Sequence, residues 1–420
     1  MNYFLALLLI VPLSAFAQGA SDTLNLNDLV REALRNNPEL KAFEYNRDAM
    51  EARVDAAGTL DDPELTYMRE EMPGFRWNES MTQKIELMQM IPFPGKLSTK
   101  TEIAEIQAEH AHHEHMEKAN EVLARLRSAY FELWFAQQSL ALNRENARLL
   151  QQFTKIAQTR YGVGETPQQD VLKAFVEIAK LDNQLITLRQ QELAMKSMLG
   201  ALLSRLPGDT LGVAAVPAGD LYLPTQDTLQ YLAQRYRGML LHDSLSVEES
   251  EKMLSLAKKE YLPNFKIGIE YVRRPFEEFR GWTVSAGINL PFMPWSIGRN
   301  AAKVEEASIS IEKSRETLKN SRNMIRSSIN ELCLKAESVR KQLENYTKVI
   351  VPQTQLTLRA SMTAYQTGRT DFLMLIDTYR MLVELSMEKL MLRMQFEQTV
   401  AELKREVGYA GIFYVQRERN

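Results

Sequence analysis

The chain has 420 residues and a formal net charge of −3, and 25% of its residues are charged. This length allows two or three ordinary domains, and the balanced charge gives no reason to expect a nucleic-acid partner. The single cysteine, Cys333, excludes an internal disulfide and matches no zinc-binding spacing. No catalytic motif is present, so we expect neither an enzyme nor a cofactor.

The first residues have the pattern of a secretory signal peptide. Phe4–Leu13 is apolar, and Ala15, Phe16 and Ala17 give the small-x-small pattern that precedes cleavage before Gln18. A buried N-terminal helix is the alternative interpretation. No later apolar run reaches the ~18 residues of a transmembrane helix. We therefore expect an exported chain with a signal peptide at residues 1–17.

The first repeat is predicted at residues 18–206. Two short helices end near Gly58, and two proline-bracketed strands follow at about 63–73 and 80–92. A helix without proline or glycine then runs from Gly95 to about Tyr161, a length of roughly 100 Å. Its apolar positions alternate in steps of three and four, as in coiled coils: Ala119, Val122, Leu126, Ala129, Leu133, Ala136 and Leu140. A turn at 161–167 leads into a return helix, so the unit ends in a long helical hairpin.

The second half repeats this order. A proline- and glycine-rich linker is predicted at 207–226, the second repeat at 227–408, and a polar tail at 409–420. Its strands are expected at about 263–273 and 282–291, and its hairpin tip at 365–371. The first tip recurs in the second at an offset of 204, which pairs Tyr161, Gly164 and Thr166 with Tyr365, Gly368 and Thr370. The strands recur at an offset of 199, which pairs Pro92 with Pro291. The chain is therefore an internal duplication whose second long arm is about five residues longer, with Pro352 in that difference.

The four strands suggest a membrane function. Each has about 9–11 residues and alternates apolar with polar side chains, which is enough to cross an outer membrane as a tilted strand. Four strands cannot close a barrel, so several chains must share one: two chains would give eight strands, and three would give twelve with a water-filled bore. Two soluble hairpins beside a coiled coil are the alternative.

This combination resembles the TolC-like outer-membrane efflux family. The resemblance is carried by the two Y-x-x-G tips, the duplicated strand–strand–long-helix unit, the opening LNLNDLVREALRNNPEL and the turn IPFPGK at 91–96. It implies a mostly α-helical homotrimer in which a twelve-stranded outer-membrane barrel continues into a periplasmic coiled-coil tunnel. It further implies a periplasmic adaptor and an inner-membrane pump as partners. The IPFPGK turn is similar to the branch that serves heavy-metal resistance-nodulation-division pumps.

The resemblance places the periplasmic gate and the adaptor-docking surface at the tips. Asp377 matches one pore-narrowing aspartate of the family, Met374 replaces the other, and Asp371 lies nearby but out of register. Asp170 and Tyr365 resemble a pair that holds the closed tip together. The docking candidates are Tyr161, Gly164, Thr166, Gly368, Arg369 and Thr370. A solvated tip residue is the alternative for each.

Four of the five histidines lie within six residues: His110, His112, His113 and His115. Imidazoles three apart on a helix can bind Zn²⁺ or Cu²⁺. A solvent-facing polar patch is the alternative, and the H-E-x-x-H spacing of zinc hydrolases is missing.

We predict a passive exit duct, with a drug-efflux or type I secretion outlet, a soluble adaptor and a metal-dependent hydrolase as progressively weaker alternatives.

Overall fold

The computed structural model describes residues 23–70, 82–206, 209, 211–215, 221 and 223–410. The predicted signal peptide, the facing ends of the first two predicted strands at 71–73 and 80–81, much of the linker and the tail beyond residue 410 lie outside this part. The described chain is mostly helical with a small β part, as predicted. Its strands are β1 (Thr23–Leu24), β2 (Glu64–Glu70), β3 (Thr82–Ile91), β4 (Val213–Ala214), β5 (Phe265–Arg274) and β6 (Phe279–Ile288). Its helices are α1 (Leu26–Asn36), α2 (Pro38–Ala57), α3 (Lys96–Gly162), α4 (Gln168–Leu202), α5 (Gln226–Tyr236), α6 (Gly238–Lys259), α7 (Pro294–Asn345), α8 (Val351–Gln366) and α9 (Phe372–Glu406).

The element order shows the duplication directly. Each half has a two-residue strand, two short helices, two longer strands, a long helical arm and a return helix. The two-residue strands β1 and β4 pair in parallel. β4 lies within the predicted linker. In the first half, the Asn37 side chain accepts hydrogen bonds from the backbone N–H of Glu39 and Leu40, and Pro38 occupies the first turn of α2. Local capping therefore sets the break between α1 and α2.

The predicted heptad seam of α3 is buried, and most of it belongs to one apolar cluster of the molecule. Each of its seven members is at most 4% exposed, from Ala119 to Leu140. α3 packs against α4 and α9, and α9 also packs against α7 and α8. Near the tips, side chains from α3, α4, α8 and α9 form one apolar cluster. The two hairpins are thus joined along their length, as coiled-coil spacing predicts.

The second long arm differs from the first in the middle. A π-helical turn at Tyr346–Ile350 separates α7 from α8, and it lies where the repeat offset changes. A π-helical turn accommodates inserted residues within a helix. Pro352 follows immediately and has no N–H to donate to the carbonyl of Lys348. This local change of helix type therefore absorbs about one of the extra residues of the second arm, and the others lengthen it.

The predicted range 282–291 for the last strand is wrong by three residues at each end. A short 3₁₀ helix at Pro275–Glu277, followed by Glu278 at φ +53°, turns the chain early, so β6 begins at Phe279. At its other end β6 stops at Ile288, and the backbone N–H of the next residue, Asn289, donates to the Asn264 carbonyl at 3.1 Å. Over the described residues, β2 and β3 lie inside their predicted ranges, and β5 extends one residue beyond the end of its range.

The β2-β3-β5-β6 sheet is antiparallel throughout. Gly95, at φ +90°, links β3 to α3, and Lys96 is only 7% exposed. The Lys96 ammonium donates to the Leu262 carbonyl and to Asn264 Oδ1, both at 2.8 Å. Because both acceptors belong to the second repeat, the IPFPGK turn ties the two repeats together at the base of the sheet.

Among the described residues, none of the helices contains an apolar stretch of the length needed to cross a membrane.

Candidate functional site

Two regions of the described chain combine specific geometry with exposed functional groups: the outer surface of the four-stranded sheet and the pair of hairpin tips.

One face of the sheet is arranged in rows that cross all four strands. Directly paired residues of antiparallel strands point to the same side. The register gives an apolar row, an aromatic-rich row next to it, and beyond that a row with three arginines. These rows are Leu65, Leu87, Ile269 and Val284; then Tyr67, Ile85, Tyr271 and Trp282; then Arg69, Gln83, Arg273 and Arg280.

The apolar row and the aromatic-rich row are open to the surroundings of the chain. In the apolar row Val284 is 75% exposed and Leu65 is 70% exposed, and in the aromatic-rich row Trp282 is 70% exposed. An apolar band bordered by aromatic and then cationic side chains is the arrangement of a lipid-facing barrel wall.

The opposite face of the sheet is polar. Thr66, Glu86, Glu270 and Thr283 form one row across it. The Lys84 ammonium lies 2.9 Å from a Glu70 carboxylate oxygen and 4.0 Å from Glu270. This face can contact water while the other contacts an apolar phase.

The two hairpin tips share one backbone geometry. In the first, Gly164 has φ +79°, its N–H donates to the Tyr161 carbonyl, and Glu165 N–H donates to the Arg160 carbonyl. In the second, Gly368 has φ +71° and makes the equivalent bond to Tyr365, and Arg369 N–H donates to the Ala364 carbonyl. This is a Schellman helix end, which needs the left-handed conformation that glycine adopts without steric cost. The repeated glycines are thereby explained.

The two equivalent tyrosines have opposite environments. Tyr161 is 46% exposed, whereas Tyr365 is fully buried at 0%. The Tyr365 hydroxyl donates to Asp170 Oδ2 at 3.4 Å, and its ring lies 5.4 Å from that of Phe372. The structure therefore brings together Asp170 and Tyr365, the pair that the resemblance indicates.

Arg160 completes this contact, and the sequence analysis did not identify it. Its guanidinium lies 4.9 Å from the centre of the Tyr365 ring, donates to the Tyr365 carbonyl, and pairs with Glu165 at 3.1 Å. The equivalent residue of the second repeat is Ala364. This asymmetry is the sequence signal that could have pointed to Arg160. We call Arg160, Asp170 and Tyr365 the tip latch.

Burial changes the acidity of the latch. It raises the pKa of the Tyr365 hydroxyl to about 12, with the nearby Asp170 carboxylate as a second cause. It also raises the pKa of Asp170, and the hydrogen bond from Tyr365 offsets this only in part. The latch thus contains a carboxyl group whose proton affinity is increased in the joined state.

The other predicted gate residues have separate local roles. Asp371 is the N-cap of α9, and its side chain accepts from Met374 N–H at 3.0 Å. Asp377 is exposed and pairs with Arg380 at 3.1 Å. The same Arg380 lies 2.5 Å from Glu177, a residue of α4 that is only 8% exposed. That hydrogen bond lowers the pKa of Glu177. The Glu177–Arg380 pair is therefore a second polar contact between the hairpins.

The remaining docking candidates lie at the surface of the tips. Arg369 is exposed, and Thr370 is half-buried, with its hydroxyl 3.3 Å from the Met374 sulfur. Thr166 is half-buried at the first tip. Arg369 and Tyr161 can be reached from outside the hairpins, whereas the hydroxyl oxygen of Thr166 is buried.

The four histidines of α3, which the sequence gives as weak metal-site candidates, make other contacts in the structure. His110 Nε2 lies 3.2 Å from Glu249 Oε2, and its ring is 4.3 Å from that of His242 on α6. Burial lowers the pKa of His113 to about 4 and also lowers that of His115. Across the described residues, no three His, Cys, Asp or Glu side chains are placed to bind a metal ion. The His112 and His113 rings lie 5.5 Å apart, so the histidines remain close in space without converging on a three-ligand site among the described residues.

The fold is that of outer-membrane channel proteins. The CusC channel has a TM-score of 0.78 with 15% identity, over 91% of each chain. VceC of Vibrio cholerae has a TM-score of 0.77 with 14% identity, over 91% of this chain and 96% of that one. The open MtrE channel of Neisseria gonorrhoeae has a TM-score of 0.75 with 14% identity, over 91% and 88%.

The sequence comparison agrees with this fold. Residues 29–204 match the model of the family described as outer membrane efflux protein. No curated protein sequence matches the chain. The predicted resemblance to the TolC-like outer-membrane efflux family is confirmed: the first repeat matches the family model, and the chain has the fold of outer-membrane channels.

Proposed function

We propose that this chain is the outer-membrane exit duct of a tripartite efflux system and transports passively. Three chains would form a twelve-stranded barrel in the outer membrane of a Gram-negative bacterium, continued by a helical tunnel in the periplasm. The main support is the ordering of apolar, aromatic and arginine rows on one sheet face, opposite a charged face. Lipid would contact the first and an aqueous bore the second.

Exposed apolar faces on two helical arms support assembly into a trimer. Leu172 and Val176 of α4 are each 55% exposed, and Ile186 is 69% exposed. On the other hairpin, Leu334 and Leu356 are 65% and 57% exposed. Such apolar surface on long helices is buried by partner helices in stable assemblies. A second and a third copy of the chain would supply those helices.

The tips would carry the gate and contact a periplasmic adaptor coupled to a resistance-nodulation-division pump. The tip latch holds the two hairpins of one chain together, so outward movement of one hairpin would have to break it. The exposed tip residues Tyr161, Arg369 and Thr370 offer polar and aromatic contacts to an adaptor.

We propose heavy-metal cations as the cargo, on the resemblance of the IPFPGK turn. The buried contacts of Lys96 give that turn a structural role as well. A deletion strain that becomes sensitive to copper, silver, zinc, cobalt or cadmium would support this cargo. Sensitivity confined to drugs, or loss of a secreted protein, would instead support the two alternative outlets.

The duct itself is tested by two adjacent substitutions on β6. Val284→Lys places a charge in the apolar row at a cost of about 2–4 kcal/mol at the bilayer midplane. Thr283→Lys places the same charge opposite Glu270 on the polar face. We expect heat-modifiable trimers and ion conductance in planar bilayers for the wild type and Thr283→Lys, and loss of membrane assembly for Val284→Lys. Equal assembly of both variants would contradict the proposed orientation.

A further inference from the structure

A cavity of about 730 Å³ lies beside the π-helical turn of the second arm. α7, this turn and α9 form its walls, with Trp134 of α3 and Leu221 completing them. None of the functions proposed above uses this cavity. The residues that line it are Trp134, Leu221, Arg340, Leu343, Glu344, Thr347, Lys348, Lys389, Leu390 and Arg393.

The charged side chains of the lining are mostly cationic. Four cations face one carboxylate, Glu344. Arg340 is neutralised by Glu337 at 2.8 Å and Glu344 at 2.9 Å, and Arg393 pairs with Glu397 at 2.8 Å.

The other two cations are lysines. Lys348 and Lys389 have no ion pair within the described part of the chain. An anion in the cavity would meet two ammonium groups that no carboxylate of the described residues neutralises.

Trp134 is a lining residue with a buried indole N–H group. The residue is 4% exposed, and its indole Nε1 is buried with no acceptor among the described residues. A buried donor without a partner costs about 1–3 kcal/mol. Leu343 and Leu390 add apolar surface next to this donor. The lining therefore combines apolar surface with two ammonium groups that have no ion pair among the described residues, and the buried indole N–H of Trp134 belongs to one of its lining residues.

We propose that this cavity binds an amphipathic organic anion, with a carboxylate or sulfonate on a compact apolar body. The anionic group would contact Lys348 and Lys389 and accept from the Trp134 indole, and the body would lie on the leucines. Charge-assisted hydrogen bonds from lysine to a carboxylate are stronger than neutral ones. Lys348 lies within the π-helical turn, so the inserted residues of the second arm contribute directly to the site.

The test uses full-length protein in amphipol and isothermal titration calorimetry with 2-naphthoate, a water-soluble aromatic carboxylate. 2-Naphthalenemethanol is the neutral ligand control. The double variant Lys348→Gln/Lys389→Gln removes both free cations. Its matched control, Lys319→Gln/Lys341→Gln, removes two α7 lysines that are 68% and 70% exposed outside the cavity.

We expect 2-naphthoate to bind the wild type and the control double variant alike. Binding to Lys348→Gln/Lys389→Gln should weaken about tenfold or more. Trp134→Phe keeps an aromatic ring but removes the N–H group. It should weaken 2-naphthoate binding by a smaller factor, with the circular dichroism spectrum unchanged. No binding to the wild type, equal binding to both double variants, or equal binding of 2-naphthalenemethanol would overturn the proposal.

Discussion

The two hairpin tips have the same backbone and different side-chain environments. Gly164 and Gly368 end their helices in the same left-handed conformation. Nevertheless Tyr161 is exposed and Tyr365 is fully buried. The duplication has kept the turn, which local sequence determines, and has changed the contacts that depend on the other hairpin. The second tip is held, through Arg160 and Asp170 of the first, and the first tip presents its tyrosine outward.

The largest difference between the tips should appear on truncating the tyrosines. Tyr365→Ala removes a fully buried ring and should destabilise the joined tips by about 3–5 kcal/mol. Tyr161→Ala should change their stability by only about 0.5 kcal/mol or less. Hydrogen exchange of the backbone amides in α8 and in the first turns of α9 measures this. Similar exchange rates in both variants would mean that the two tips are held equally.

Arg160 gives the next largest effect, because it makes three contacts across and within the tips. Arg160→Gln removes its ion pair with Glu165 and its contact with the Tyr365 ring, for a loss of about 1–3 kcal/mol. We expect a raised resting conductance in planar bilayers. Arg369→Gln, at the exposed arginine of the second tip, is the control and should leave conductance unchanged. A leak of equal size in both variants would show that the loss of a positive charge at the tips, and not the loss of the Arg160 contacts, opens the channel.

A change of pH should affect the latch through Asp170. Burial raises its pKa in the joined state, so that state binds the proton more tightly than the separated state does. The joined state is therefore favoured as pH falls toward the ordinary carboxyl value of 3.8, and the resting leak should decrease.

Asp170→Asn is the matched control for this prediction. It imitates the protonated form and should remove the decrease in leak. Glu177 acts in the opposite sense, because its lowered pKa makes its contact with Arg380 weaken in acid. A leak that increases on acidification in the wild type would assign control to Glu177.

Asp377 should have the smallest effect. Its carboxylate is exposed and already pairs with Arg380, and exposed pairs contribute less than about 1 kcal/mol. Asp377→Ala should lower block by divalent cations and raise the leak slightly in single-channel recordings. Arg380→Gln should have the reverse effect on block, because it frees the Asp377 charge. Unchanged block in both variants would remove Asp377 from the gate.

The sequence predicts what local pattern controls. The heptad seam of α3 is buried as expected because its spacing alone places it on one face. The glycine turns also follow from local stereochemistry. By contrast, Arg160 and the Glu177–Arg380 pair depend on how two hairpins about 200 residues apart are placed against each other, which spacing does not specify. The histidines show the same limit, since His242 lies close to His110 only through the packing of α6 on α3.

The short parallel pair β1 and β4 has a consequence for the order of folding. Thr23 pairs with Val213, 190 positions later, and the Tyr130 hydroxyl donates to the Leu24 and Ala215 carbonyls. If the chain is exported from its N-terminus, as the predicted signal peptide implies, residues 23–24 would cross the membrane long before their partner strand. Contacts between such distant positions form slowly, because a long loop must close first. The β1–β4 pair would therefore form only after half of the chain has arrived, whereas the contacts of Leu24 and α1 with α3 need the first repeat alone.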